Sequence, residues 1–438
     1  MKLTRLVDGK QITHELTLEK KQLTRRESVD EVWGKPKKKA FPSPQKARAA
    51  YDKLVEDLTA QGFLDPLAPP EAPKVAREPK LEAAIRADRE DAGVYAVYAD
   101  WLQQHGNPLG ELIVLAQQKP KTFANRLDVL GLPTAKLATY GWRHGMWQWL
   151  KLDNDVDWMD PAFDVTKLAR NVFAQTACAA LEELRIGVLR WDFNYQDVPT
   201  VIAEAGKHAW AAGLQRLHLG DTHSIDLAHH QIGAVGKPIS KVFPGLRWLK
   251  VHSGEAGWRG AGETFSLSGL ALPELQELIV ETCSLSKQRL AAILAAKLPK
   301  LERLTLWFGA EDYGADATVK GLPKLLDGSA FPKLRHLGLM NSEHENEIAV
   351  LVSMSKLARQ LVSLDLSMGT MTEVGAEALI AGRKHFPKLA ALDVSDNFLS
   401  PETARAVKKA FPFASVDGQK EADDSIEGET HYYVSQGE

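Results

Sequence analysis

Leu246-Arg247-Trp248-Leu249-Lys250-Val251 and Leu275-Gln276-Glu277-Leu278-Ile279-Val280 are two copies of one pattern. An aliphatic residue is followed by two variable residues, a Leu, one variable residue and a second aliphatic residue. The other copies are Leu181/Leu184/Ile186, Leu214/Leu217/Leu219, Leu301/Leu304/Leu306, Leu334/Leu337/Leu339, Leu361/Leu364/Leu366 and Leu389/Leu392/Val394. Successive copies stand 26 to 33 residues apart. Self-similarity at such a period predicts a solenoid, each repeat burying its apolar side only by stacking on the next.

Helical stretches follow several copies. Ser286–Lys297 carries Leu290, Ile293 and Leu294; Glu345–Leu357 carries Ile348, Leu351 and Val352; Thr372–Ile380 and Pro401–Ala410 behave alike. An apolar-Pro pair precedes five of the strands: Phe243-Pro244, Leu272-Pro273, Leu298-Pro299, Phe331-Pro332 and Phe386-Pro387. Proline ends the helix and presets extended geometry. Phe411-Pro412 opens a ninth, truncated rung. One strand and one helix per repeat is the pattern of the long leucine-rich repeat, and residues 180–416 resemble its ribonuclease-inhibitor type, most closely at Met371–Leu379. The resemblance implies an α/β solenoid with parallel strands on a concave face and helices outside. It also implies a turn position normally held by Asn or Cys. Cys283 and Asn397 fill it here, whereas Gly254, Gly309 and Gly369 stand there in other rungs, and Cys283 is expected as a buried turn thiol.

Side chains alternate along a strand, so the residues between the aliphatics face away from the core. That expectation assigns a partner-binding surface to Arg216, His218, Trp248, Lys250, His252, Glu277, Glu281, Arg303, Trp307, His336 and Met340. Arginine and tryptophan are the residue types that dominate interface energetics. The surface is expected to form one patch centred on Trp248 and Trp307.

Upstream, residues 1–65 read as short strands, a basic turn at Lys35–Lys39, and a helix entered at Phe41-Pro42-Ser43-Pro44 and stopped at Gly62. Lys39-Ala40-Phe41-Pro42-Ser43 and Lys53-Leu54-Val55 with Gly62-Phe63 resemble the WGR domain, a small α+β unit. The Trp-Gly-Arg triplet is absent, and Trp33-Gly34-Lys35 is its nearest string. Some WGR domains bind DNA. Residues 1–60 carry 14 Lys and Arg against 9 Asp and Glu, and Arg25, Arg26, Lys35, Lys37, Lys38 and Lys39 are the candidate phosphate contacts.

Residues 66–80 are a proline-rich linker. Residues 81–152 resemble a bacterial repeat-companion domain, through Tyr98-Ala99-Asp100-Trp101-Leu102 and His105-Gly106-Asn107-Pro108. Asp100, His105 and Glu111 are the sole candidate catalytic trio, but their spacing suits helix capping better. A helix is expected at 123–130, and Gly141–Leu152 reads as a turn and strand capping the solenoid spanning 153–416. The tail, 417–438, holds seven acidic residues and is expected to be mostly disordered, with His431–Val434 able to clip onto the C-terminal edge.

A net charge of −3 carries no signal for nucleic acid or membrane. Two cysteines exclude a disulfide framework and fit a reducing, cytoplasmic compartment. No apolar run approaches the length of a membrane span, and no signal peptide is expected. Asp221-Thr222-His223 with His229-His230, and Glu343-His344-Glu345, have metal-ligand residue types but no diagnostic spacing, so neither metal nor cofactor is expected. These readings converge on a non-enzymatic, monomeric protein-interaction module. The alternatives are a nucleic-acid adaptor acting through the WGR-like unit, or an immunity or regulatory factor for a dedicated toxin or kinase.

Overall fold

The computed structural model describes residues 2–7, 10–30, 32–61, 63, 77–119, 123, 137–153, 165–189, 197–221, 232–254, 265–423 and 430–436. Most of the helix expected at 123–130 and most of the linker lie outside them.

The N-terminal unit is an antiparallel meander of β1 (Lys2–Val7), β2 (Lys10–Glu19) and β3 (Gln22–Val29), with β4 (Val32–Trp33) and β5 (Lys37–Ala40) pairing β3. The lysines expected in a turn are therefore a strand, with Lys37 opposite Arg25 and Lys38 opposite Thr24. All four β5 residues are exposed, and lysine suits an exposed edge because charge discourages further strand addition. Helix α1 (Pro44–Ala60) follows. Ser43 Oγ accepts from the Lys46 amide at 3.3 Å, as its place before Pro44 demands. Leu3, Leu16, Leu58 and Phe63 form a small core there.

The described chain resumes at Arg77, and α2 spans Pro79–Ala87, so the last two residues assigned to the linker are helical. Proline at the first helical turn loses no intrahelical bond. Helices α3 (Ala92–Gln104) and α4 (Leu109–Gln118) complete this region. Tyr95, Tyr98 and Leu102 are fully buried, as their helical spacing requires. Arg77 and the Tyr98 hydroxyl both bond the buried Glu82 carboxylate, at 2.7 Å each. Arg89 donates to the carbonyls of Ala180, Leu181 and Gly213, which fastens the helices to the first two repeats.

Next comes a hairpin, β6 (Ala138–Arg143) and β7 (Met146–Leu152), where one strand was expected. From β7 onward the large sheet is parallel and runs in sequence order: β8 (Glu183–Ile186), β9 (Arg216–Leu219), β11 (Trp248–His252), β13 (Glu277–Glu281), β14 (Arg303–Gly309), β15 (His336–Ser342), β16 (Ser363–Asp365), β17 (Ala391–Asp393) and β18 (Ala414–Ser415). With β6 it is an eleven-stranded mixed sheet among the described residues. A short parallel pair, β10 (Gly233–Ala234) and β12 (Phe265–Ser266), stands apart.

Adjacent strands align copy on copy: Leu217, Leu249, Leu278, Leu304, Leu337, Leu364 and Leu392 occupy one register row. Each is at most 2% exposed. Helices return the chain between most of these strands, since a parallel pair needs a crossover. Their apolar sides join the same buried cluster, which runs unbroken from Ile85 to Ala414. Consequently the first helices and the sheet share one core across the 152/153 boundary. At the end of β14, Gly309 holds φ +81°, and a Cβ there would run into the Cys283 carbonyl.

Part of the tail is ordered where His431–Val434 was expected to clip on, though not onto the C-terminal edge. Residues 430–436 fold back on the sheet, with Val434 buried, and Ser435 donates to the Met368 carbonyl at 2.9 Å.

Candidate functional site: the outer face of the large sheet

One face of the sheet packs on the helices. The other, here the outer face, carries the residues between the aliphatics. β11 and β13 both alternate half-buried and buried along their length. Every residue proposed from sequence stands on the outer face, half-buried apart from the exposed Arg303. Register sorts them into rows. Glu183, Arg216, Trp248, Glu277, Arg303, His336 and Ser363 form one; Lys151, Arg185, His218, Lys250, Ile279, Thr305, Gly338 and Asp365 form the next.

Across those rows and the one beyond them the residues gather into separate clusters. The Arg216 guanidinium lies 4.1 Å above the Trp248 ring, and His218 meets that ring edge-on at 5.9 Å. Lys250 and His252 both bond Glu281 Oε2 at 2.8 Å. Trp307 pairs in register with Met340. Trp248 and Trp307, however, are two strands and four residues apart, roughly 16 Å by strand spacing and rise. The two rings are thus separate points within the expected surface, with the Lys250–His252–Glu281 cluster on the strands beside Trp248. His336 instead bonds Ser363 at 2.8 Å, toward the far end.

Burial shapes the electrostatics. It pushes His218 down to about 4, against the opposing pull of Asp221, so the ring is neutral near pH 7. Burial acts to raise Glu281, but hydrogen bonds from His252 and Lys250 outweigh it and the carboxyl ends below its ordinary value. Asp365 is raised, chiefly by burial, with Asp393 opposite it on the next strand adding repulsion.

Sequence reasoning missed one part of this face. Trp149 of β7 pairs in register with Glu183, and Arg185 lies 4.9 Å above its ring. The signal was there: Trp149 and Lys151 alternate with Leu150 and Leu152, so Trp149 belongs to the face opposite those leucines, while a register irregularity between Gly141 and Trp142 parts Trp147 from it. Trp147 is fully buried.

The other candidates stand as follows. Asp100, His105 and Glu111 are all exposed. His105 stacks on Trp101 at 3.9 Å and ends α3, followed by Gly106 at φ +70°. Those positions suit helix termination. Of the first metal-like cluster only Asp221 is described, and no group of three or more potential ligands that could hold a metal ion occurs among the described residues. Both cysteines are buried and outside any disulfide. No helix among the described residues is long and apolar enough to cross a membrane.

In the N-terminal unit, Arg25, Lys35 and Lys37 line a cleft of about 410 Å³ with Glu27, Val29, Val32 and Gly34. Arg26 turns elsewhere, donating to the Gly34 carbonyl at 3.1 Å and lying 4.9 Å from the Trp33 ring. Lys39 lies 5.4 Å from the Phe41 ring. Lys38, between Lys37 and Lys39 on one strand, belongs to the opposite face from them, so the six cations do not form one patch.

No family model and no curated protein matches the sequence. Among solved structures, the fold is shared with a Bacteroides fragilis protein determined by a structural genomics consortium. That alignment covers 100% of this chain and 99% of the other at 18% identity, with a TM-score of 0.53. An alignment with an internalin from Listeria monocytogenes covers 59% of this chain and 66% of that one, at 14% identity and a TM-score of 0.29, too low to bear on the fold.

Proposed function

We propose that the large sheet is the inner wall of a leucine-rich repeat solenoid and that the protein is a non-enzymatic interaction module, receiving a partner protein on the outer face described above. The observation that carries this reading is the Arg216–Trp248 stack, half-buried at mid-face rather than sealed in the core. A preformed cation–aromatic anchor offers large contact area at little ordering cost. Flanking charges are already paired within the face, as Lys250 and His252 are with Glu281. Such pairing holds side chains in place for docking and disfavours an indiscriminate polyanion partner. The test is quantitative capture from the native cell with wild type and a folded Trp248→Ala/Trp307→Ala variant. Proteins lost from the variant support the reading; an identical set at identical yield contradicts it.

A second reading concerns the N-terminal unit. Its cleft combines Arg25, Lys35 and Lys37 with the exposed Val29 and Val32, which favours an anionic ligand with an apolar part, nucleic acid among them. Binding there should weaken steeply with salt, and no DNA or RNA shift at about 50 mM salt would dismiss it.

A further inference from the structure

The C-terminal segment 430–436 is held in a manner unlike an end cap. A solenoid cap covers the exposed edge of the last rung, here β18. Instead the hydrogen bonds this segment makes into the sheet go to β15 and to the turn after β16. The Asn341 side chain clamps the backbone of Gln436 from both sides, Oδ1 accepting from its amide at 2.9 Å and Nδ2 donating to its carbonyl at 2.7 Å. The Ser435 amide donates to the Met368 carbonyl. Lys420 donates to the carbonyls of Gly369 and Tyr433, at 3.0 and 2.6 Å, so one ammonium ties rung to tail. Phe398 meets Tyr432 and Tyr433 edge-on, at 5.0 and 5.4 Å between ring centroids.

Two features of this arrangement belong to peptide recognition. The Asn341 clamp and the Lys420 bonds read backbone groups, which any extended segment presents. The aromatic contacts and the buried Val434 read side chains and give selectivity. The hold is also partial. Tyr432 and Tyr433 remain 46% and 49% exposed, so half of each ring is solvated even when docked.

The geometry points to a peptide-recognition rim formed by Asn341, Met368, Gly369, Phe398 and Lys420, occupied in cis by the chain's own Tyr432-Tyr433-Val434-Ser435-Gln436. Its partner in trans is an extended protein segment with adjacent aromatic residues followed by a small aliphatic one. The tail acts as a tethered competitor, lowering the rim's apparent affinity by the fraction of time it is docked. The rim is distinct from the Trp248 and Trp307 anchors and does not depend on them.

The test uses a fluorescein-labelled peptide of residues 430–438 and fluorescence anisotropy on three full-length proteins. These are wild type, Tyr432→Ser/Tyr433→Ser/Val434→Ser, and that triple variant with Asn341→Gly, which keeps the left-handed backbone at 341 and removes the clamp. The triple variant should bind at least about tenfold more tightly than wild type, and Asn341→Gly should abolish the gain. No binding to a triple variant with the wild-type circular dichroism spectrum and melting curve overturns the proposal, as do equal affinities for triple variant and wild type. Hydrogen exchange on the unmutated protein gives an independent reading. The Ser435 and Gln436 amides should exchange far faster than those of β14; equal protection would make the segment a fixed part of the fold and overturn the proposal.

Discussion

Truncating two neighbours on β13 separates the two faces of the sheet. Leu278 is fully buried, flanked in register by Leu249 and Leu304. Ile279, the next residue, is half-buried on the outer face between Lys250 and Thr305. Leu278→Ala removes a close-packed isobutyl group and leaves a void that the rungs on both sides resist filling, a cost of about 2–5 kcal/mol. That is a shift of roughly 30- to 5,000-fold in the unfolding equilibrium. Ile279→Ala opens no enclosed cavity and loses only partial burial and strand preference, about 1 kcal/mol or less. Urea denaturation followed by tryptophan fluorescence and by circular dichroism checks both. Coincident transitions establish that a single free energy is meaningful, a necessary control in a chain of this size. Equal losses, or a larger loss from Ile279→Ala, would refute the assignment of the faces.

Other perturbations probe separate parts of the account. Glu345 is fully buried, and burial together with the Asp365 charge raises its pKa well above the ordinary carboxyl value, against a backbone hydrogen bond at Ser342. The folded state therefore holds this proton more tightly than the unfolded chain, and that stabilisation is lost as pH rises from the ordinary value through the folded one. Glu345→Gln should flatten this dependence and gain on wild type as pH rises above the ordinary carboxyl range; parallel stability–pH curves would count against it. Gly309→Ala, at φ +81° and against the Cys283 carbonyl, should cost at least about 2 kcal/mol, measured by the same denaturation. Arg89→Met leaves the carbonyls of Ala180, Leu181 and Gly213 without their side-chain donor and should cost about 2–4 kcal/mol. An unchanged midpoint would show that these bonds do not fasten the helices to the sheet.

The repeat was legible because its periodicity records a physical necessity. A row of aliphatic residues in register lets successive parallel strands bury one side of the sheet together, and it is written into each copy from Leu181 to Val394. The outward residues followed from alternation alone. Their grouping did not, because it depends on how far apart strands and rows lie, which sets Trp248 and Trp307 roughly 16 Å apart. The β5 strand was obscured by composition: Lys37, Lys38 and Lys39 look like a solvated turn, yet an edge strand needs no apolar face. Trp149 was placed on the first rung without being followed to the outer face. That His431–Val434 could clip onto the sheet was legible in its own residues, but its place was not, because the hold depends on Asn341, Lys420 and Phe398, scattered through the sequence. The internal pairing of Lys250 and His252 with Glu281 was invisible for the same reason.

Site-specific photocrosslinking tests the outer-face claim most directly. A benzophenone amino acid is placed at Thr305, mid-face on β14, and in a separate protein at the exposed Leu351 on the helix Glu345–Ser353. After irradiation in the native cell, the account predicts discrete protein adducts from position 305 and none of the same species from position 351. Adducts from position 351 alone would place the partner on the helices and contradict it.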